Sequence, residues 1–88
     1  MGTQIVEITN RRGLHARASA KFVTVASALA AHVEVSKDGH SVTGTSIMGL
    51  MMLGAAIGDH ITITTSGDDA DAAMATLVEL VENKFGEE

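Results

Sequence analysis

Cysteine is absent from this 88-residue chain, and the aromatic side chains are two phenylalanines, Phe22 and Phe85. The first absence excludes disulfides and thiolate metal sites and fits a reducing compartment. The second leaves a core of Val, Ile, Leu, Met and Ala. The N-terminus has no basic-then-apolar signal region. The longest apolar run, residues 47–57, is too short to span a bilayer and is broken by glycines. The chain therefore reads as soluble and, by default, cytoplasmic. Its length suits one small domain over residues 1–88 with one modest core. No linker, repeat or low-complexity stretch interrupts it.

Charge is unevenly placed. The net charge is −5, which argues against general nucleic-acid binding. Yet Arg11, Arg12, Arg17 and Lys21 crowd around His15, while Asp68, Asp69, Asp71, Glu79, Glu82, Glu87 and Glu88 crowd the C-terminal fifth. The basic patch suits an anionic ligand or an acidic partner surface; a merely solvated face is the plainer reading.

The stretch with most content is Gly13-Leu14-His15-Ala16-Arg17-Ala18-Ser19. Gly13 reads as a loop residue. From Ala16 the pattern turns helical, with Ala20, Phe22, Val23, Ala26, Leu29 and Ala30 at helical spacing, predicting a helix over residues 16–30. His15 then sits at the helix N-terminus. The first backbone N–H groups there, from Ala16 and Arg17, lack helical partners, and the dipole makes them a ready anion site. The same positive end favours the neutral, nucleophilic imidazole. Arg17 adds a planar fork of donors suited to phosphate oxygens. That combination is what a phosphoryl carrier needs; a polar loop histidine is the alternative.

The other elements follow from alternation and turn chemistry. Residues 4–9 read as a strand with Val6 and Ile8 on one face. Residues 32–37 form a second, with Val33 and Val35 inward. Asp38-Gly39 marks a two-residue hairpin, setting Val35 opposite Val42 and Glu34 opposite Thr43. Ser46 is a good N-cap for a short helix ending near Gly54. Leu50 and Leu53 can face the core, but Ile47, Met48 and Met51 cannot all do so as well. Either some form an exposed apolar patch for a partner, or the helix is wholly buried. Residues 59–65 are a strand with Ile61 and Ile63 inward. A turn at Gly67-Asp68-Asp69, capped by Asp69, Asp71 or Ser66, leads to a helix over residues 70–85 presenting Met74, Leu77, Val78, Val81 and Phe85. His32, His40 and His60 lack metal-ligand spacing and read as surface residues. The pattern predicts an α+β fold, a four-stranded antiparallel sheet with helices on one side, with a ferredoxin-like topology as the alternative.

G-L-H-A-R-A-S, followed by S-I-M-G-L-M-M-L-G, resembles the histidine-containing phosphocarrier (HPr) family of the bacterial phosphotransferase system, across nearly the whole chain. The resemblance implies an open-faced β-sandwich (βαββαβα) with strand order 1-4-2-3. It implies a relay in which Nδ1 of His15 takes a phosphoryl group from Enzyme I, supplied by phosphoenolpyruvate, and passes it to an Enzyme IIA-type domain, with Arg17 stabilising the phosphate. Such a carrier is not an independent enzyme and needs no metal or organic cofactor. A monomer that meets partners briefly is expected. Ile47, Met48 and Met51, with Arg12 and Lys21, would form the docking surface. Ser46 matches a position that a dedicated kinase phosphorylates in some members; it also reads simply as a cap. One departure is Ala18, where the family usually has proline. A nitrogen-regulatory carrier and a pure interaction module built on the Met-rich helix are the competing functions.

Overall fold

The computed structural model describes residues 2–87. Four strands, β1 (Gly2–Glu7), β2 (His32–Lys37), β3 (His40–Thr43) and β4 (His60–Ser66), form one antiparallel sheet in the order β1-β4-β2-β3. Helices α1 (Ala16–Ser27), α2 (Ile47–Met52) and α3 (Ala70–Glu82) complete an open-faced α+β sandwich, followed by a 3-10 turn at Lys84–Gly86. This is the βαββαβα architecture, and it removes the ferredoxin-like alternative.

Alternation decides which face is covered. Val6, Val33, Val35, Ile61 and Ile63 point into the core, while their sequence neighbours Glu7, Glu34 and His60 point to solvent. The hairpin pairs Val35 with Val42 and Glu34 with Thr43. Its turn has positive φ at both Asp38 and Gly39, the primed geometry that matches strand twist. The helices supply Phe22, Ala26, Leu50, Leu77 and Val81 to the same core, with Phe85 beside them. Burying a side chain such as Phe22 stabilises by roughly 1.5–3 kcal/mol.

The boundaries correct the sequence reading in four places. β1 begins and ends two residues early, because its ladder with β4 runs from Gly2↔Thr65 to Glu7↔His60. Ile8 is still buried; beyond the ladder it exchanges 2.8 Å backbone bonds with Asp59 and Gly58. β4 starts at His60 rather than at residue 59. α1 stops at Ser27, three residues short of the expected end. There Ala28 and Leu29 bond to carbonyls three residues back, which tightens and ends the helix. Leu29 still packs on the core, but Ala30 is exposed. α3 stops at Glu82 because Lys84 and Phe85 adopt left-handed backbone, φ 58° and 57°. Of the caps foreseen for α3, Asp69 holds the N-cap position, but with φ 56° and no side-chain bond to the helix.

Ser46 caps α2 as expected, its hydroxyl accepting from the Gly49 N–H at 3.0 Å. Gly49 is needed for a second reason. A Cβ there would lie 3.0 Å from the Cβ of Val42 and 3.1 Å from Ser46 Oγ, so the missing side chain lets α2 sit close on β3. Leu50 and Leu53 are buried, whereas Ile47, Met48 and Met51 are exposed. That outcome excludes the wholly buried helix. Met52 on α2 and Ile57 beyond it are exposed as well. His32, His40 and His60 are exposed, and among the described residues no cluster of His, Cys, Asp and Glu has metal-binding geometry. Among those residues, too, no helix is long and apolar enough to cross a membrane.

Candidate functional site

His15 is the N-cap of α1, with extended backbone (φ −74°, ψ −179°) and no side-chain bond to its own helix. Its carbonyl accepts the Ser19 N–H at 2.9 Å. The amides of Ala16, Arg17 and Ala18 precede that first helical bond, so their N–H groups form the anion-attracting end of α1. Freed from capping, the imidazole is available for other contacts.

The loop that presents it is tightly fixed. Gly13 has φ +63°, and a Cβ there would fall 2.2 Å from the carbonyl oxygen of Ala55. The Leu14 N–H donates to that same carbonyl at 2.9 Å. Leu14 is buried and anchors the residue before His15 in the core. The segment just beyond α2 therefore holds the histidine loop directly. From the other side, buried Ser19 donates its hydroxyl to the Leu14 carbonyl at 3.1 Å. Asn10, fully buried, donates Nδ2 to the Gly13 carbonyl at 2.8 Å. Ala18, where proline is usual in the resembled family, is 1% exposed and packs into the core as an ordinary helical residue.

The chain's far end supplies a residue that spacing does not reveal. Glu87 Oε2 lies 2.6 Å from His15 Nε2, and Glu87 Oε1 accepts from Asn10 Nδ2 at 3.1 Å. Burial opposes ionisation of this carboxyl. The hydrogen bonds from Asn10 and His15, with the positive charge of His15 and Arg17, outweigh it and hold the pKa below the ordinary value. An ionised carboxylate can only accept, so the contact places the imidazole proton on Nε2. In the neutral ring, Nδ1 on the other side then keeps its lone pair. A carboxylate that accepts from one ring nitrogen orients the histidine and fixes its tautomer.

Glu87 also joins His15 to a basic groove. Arg11, Arg12, Arg17 and Lys21 line one side, with Phe85, Gly86 and Glu87 on the other, around a volume of about 660 Å³. The cations foreseen around His15 are thus gathered on one surface. His15 itself is not in the lining; Arg17 and Glu87 are the shared members. The docking candidates Arg12 and Lys21 are exposed on this surface, and Ile47, Met48 and Met51 are exposed on α2, which packs against α1. Ser46 is half-buried at the start of α2.

A histidine at a helix start, with free amides, an arginine and an orienting carboxylate, on an open-faced sandwich, defines a class: small open-faced α+β proteins that present a histidine beside an anion-attracting helix end. Comparison with known proteins names the family. Residues 3–83 match the model of the PTS HPr component phosphorylation site. The chain is 50% identical over 84 residues to the phosphocarrier protein HPr of Neisseria meningitidis, covering 96% of this chain and 94% of that one. It is 39% identical over 82 residues to the phosphocarrier protein NPr of Shewanella violacea, covering 93% and 90%. The crystal structure of HPr from Thermoanaerobacter tengcongensis superposes with a TM-score of 0.95 at 44% identity, covering 100% and 99%. The chain belongs to the HPr family, and its general role is that of a phosphocarrier of the phosphotransferase system.

Proposed function

We propose that residues 1–88 act as one cytoplasmic carrier domain that relays a phosphoryl group through His15. The donor is phosphohistidine on Enzyme I, charged from phosphoenolpyruvate, and the acceptor is a histidine on an Enzyme IIA-type domain. In each step the phosphorus–nitrogen bond of the donor breaks while a new one forms to the acceptor nitrogen. The electron pair of the broken bond stays on the donor ring. On His15 the acceptor is Nδ1, because Glu87 occupies Nε2. That single contact, 2.6 Å long, is the observation that best supports the reading.

Phosphoryl transfer needs positioning and charge stabilisation more than covalent assistance. Here the amides of Ala16 and Arg17 and the Arg17 guanidinium provide donors for the phosphate oxygens. Each transfer is completed by the partner's site, so the carrier is not an independent enzyme and requires no metal or organic cofactor. It acts as a monomer that docks transiently through Ile47, Met48 and Met51 on α2 and through Arg12 and Lys21. Ser46 is a regulatory phosphorylation site for a serine kinase. A phosphate there would add about two negative charges at the edge of the docking surface, close to the Gly49 amide that the Ser46 hydroxyl now caps.

The test is intact-mass spectrometry after incubation with Enzyme I and phosphoenolpyruvate. Wild type gains one acid-labile phosphoryl group and His15→Ala gains none. If an active Enzyme I labels neither protein, the relay is wrong for this chain. The match to an NPr protein supports a second reading, a nitrogen-regulatory carrier with no part in sugar uptake. The phosphorylated protein separates the two: transfer onward to a sugar-permease Enzyme IIA favours the first, and transfer only to a regulatory acceptor favours the second.

A further inference from the structure

Five apolar side chains form the exposed patch on and after α2: Ile47, Met48, Met51, Met52 and Ile57. Three of the five are methionines, out of five methionines in the chain. Their exposures are 68% for Met48, 39% for Met51 and 80% for Met52, against 8% for Met74 in α3. The chain has no cysteine, tryptophan or tyrosine, so no thiol, indole or phenol competes for an oxidant. Among the described residues, the softest accessible nucleophiles toward a peroxide are therefore thioethers on this one helix.

We propose that Met48, Met51 and Met52 make α2 a reversible peroxide-sensitive switch. The inference rests on the reading that α2 meets the carrier's partners. One oxygen atom passes from hydrogen peroxide to the thioether sulfur. The sulfur–oxygen bond forms as the oxygen–oxygen bond breaks, sulfur is oxidised by two electrons, and the peroxide leaves as water. A flexible apolar side chain becomes a polar one. Met48 stands one turn from both Met51 and Met52 on the helix surface, so successive sulfoxides turn most of the apolar patch polar. Leu50 and Leu53 stay buried and hold the helix to the core. His15, Arg17 and Glu87 are chemically untouched. Docking weakens while the phosphoryl-accepting group survives; a methionine sulfoxide reductase supplied with a dithiol restores it, the dithiol giving two electrons to become a disulfide as the oxygen leaves as water.

The experiment treats the full chain with graded hydrogen peroxide, removes the peroxide with catalase, and follows two readouts. Peptide-mapping mass spectrometry gives the order of oxidation, and labelling by Enzyme I and phosphoenolpyruvate gives the transfer rate. Met52 and Met48 oxidise first, Met51 next and Met74 last. The carrier concentration giving half-maximal labelling rises about tenfold, the scale of losing one buried apolar contact. His15 still labels fully at saturation, the helical circular dichroism is unchanged, and reductase treatment reverses the shift. In Met48→Leu/Met51→Leu/Met52→Leu, whatever its own rate, peroxide leaves the ratio of treated to untreated rates at one. Sulfoxidised wild type labelling as well as untreated protein overturns the inference alone. So does a triple variant that loses rate as wild type does, or a loss of rate that coincides with loss of the helical signal. Failure of untreated wild type to label at His15 overturns the carrier reading, and this inference with it.

Discussion

Replacing Gly13 with alanine tests how rigidly the histidine loop is held. Two costs follow from the geometry. The backbone there has φ +63°, which costs a residue with a Cβ about 1 kcal/mol. The new Cβ would stand 2.2 Å from the Ala55 carbonyl oxygen and 2.9 Å from Ala56 Cα. Both are backbone atoms, so no side-chain rotation relieves the clash. The neighbouring segment is itself pinned, by Ile8 N–H to Asp59 C=O, Gly58 N–H to Ile8 C=O and Ala56 N–H to the Asp59 carboxylate. The histidine loop must therefore move, by roughly 1 Å to reach ordinary contact. The bond from Leu14 N–H to the Ala55 carbonyl breaks, stranding a donor in a buried loop at a cost of about 1–3 kcal/mol. The sum is about 3 kcal/mol, a large part of a small domain's stability. In thermal denaturation of a domain this size it lowers the midpoint by about 12 °C or more. Gly13→Asn separates the two costs. Asparagine tolerates left-handed backbone but carries the same Cβ, so it recovers less than half of the loss. A Gly13→Ala protein within about 1 kcal/mol of wild type, still labelled at the wild-type rate, would refute the claim that backbone packing positions His15.

Further outcomes concern Glu87, Asn10 and Ser46. Glu87→Gln keeps the shape but removes the charge that fixes the His15 proton on Nε2; labelling by Enzyme I slows about tenfold or more, at the low end for a positioned proton partner, while Asn10→Ala slows it and also lowers the melting midpoint. The folded Glu87 carboxyl has a pKa below its ordinary value of 4.5, so the folded state favours the ionised form. Its stabilising contribution is present above that value and is lost as pH falls through the lower folded pKa; the melting difference between wild type and Glu87→Gln therefore closes in that acid range and reopens as pH rises. Ser46→Ala removes the one side-chain cap of α2 and lowers stability by about 1 kcal/mol in urea unfolding.

Local chemistry made most of the framework legible. The alternation of Val6, Val33, Val35, Ile61 and Ile63 placed the sheet's covered face. Asp38-Gly39 set the hairpin register, and Ser46 marked the start of α2. His15 at the helix start was legible because a glycine, a histidine and a helical period meet there. Helix ends were not: Leu29, Ala30 and Phe85 continue the apolar spacing, but bonds three residues back and left-handed backbone stop α1 and α3 early. Periodicity reports which residues can be buried, and Leu29 and Phe85 are at least partly buried after the helix has ended. Ser19 is a polar residue that the fold buries, its hydroxyl satisfied by the Leu14 carbonyl. Asn10 and Glu87 were missed as site residues because their roles come from tertiary placement. Nothing in the order of residues 83–87 announces a left-handed turn that carries a carboxylate back to position 15.

That turn has a consequence for how the protein comes into being. His15 and Glu87 are 72 positions apart in the chain. Closing so long a loop is entropically costly and contributes nothing until the intervening sheet has formed. During synthesis the histidine leaves the ribosome 72 residues before its orienting carboxylate. A chain interrupted before position 87 would carry His15 without the group that sets its ring proton. The contact thus ties the protonation pattern of the His15 ring to completion of the fold.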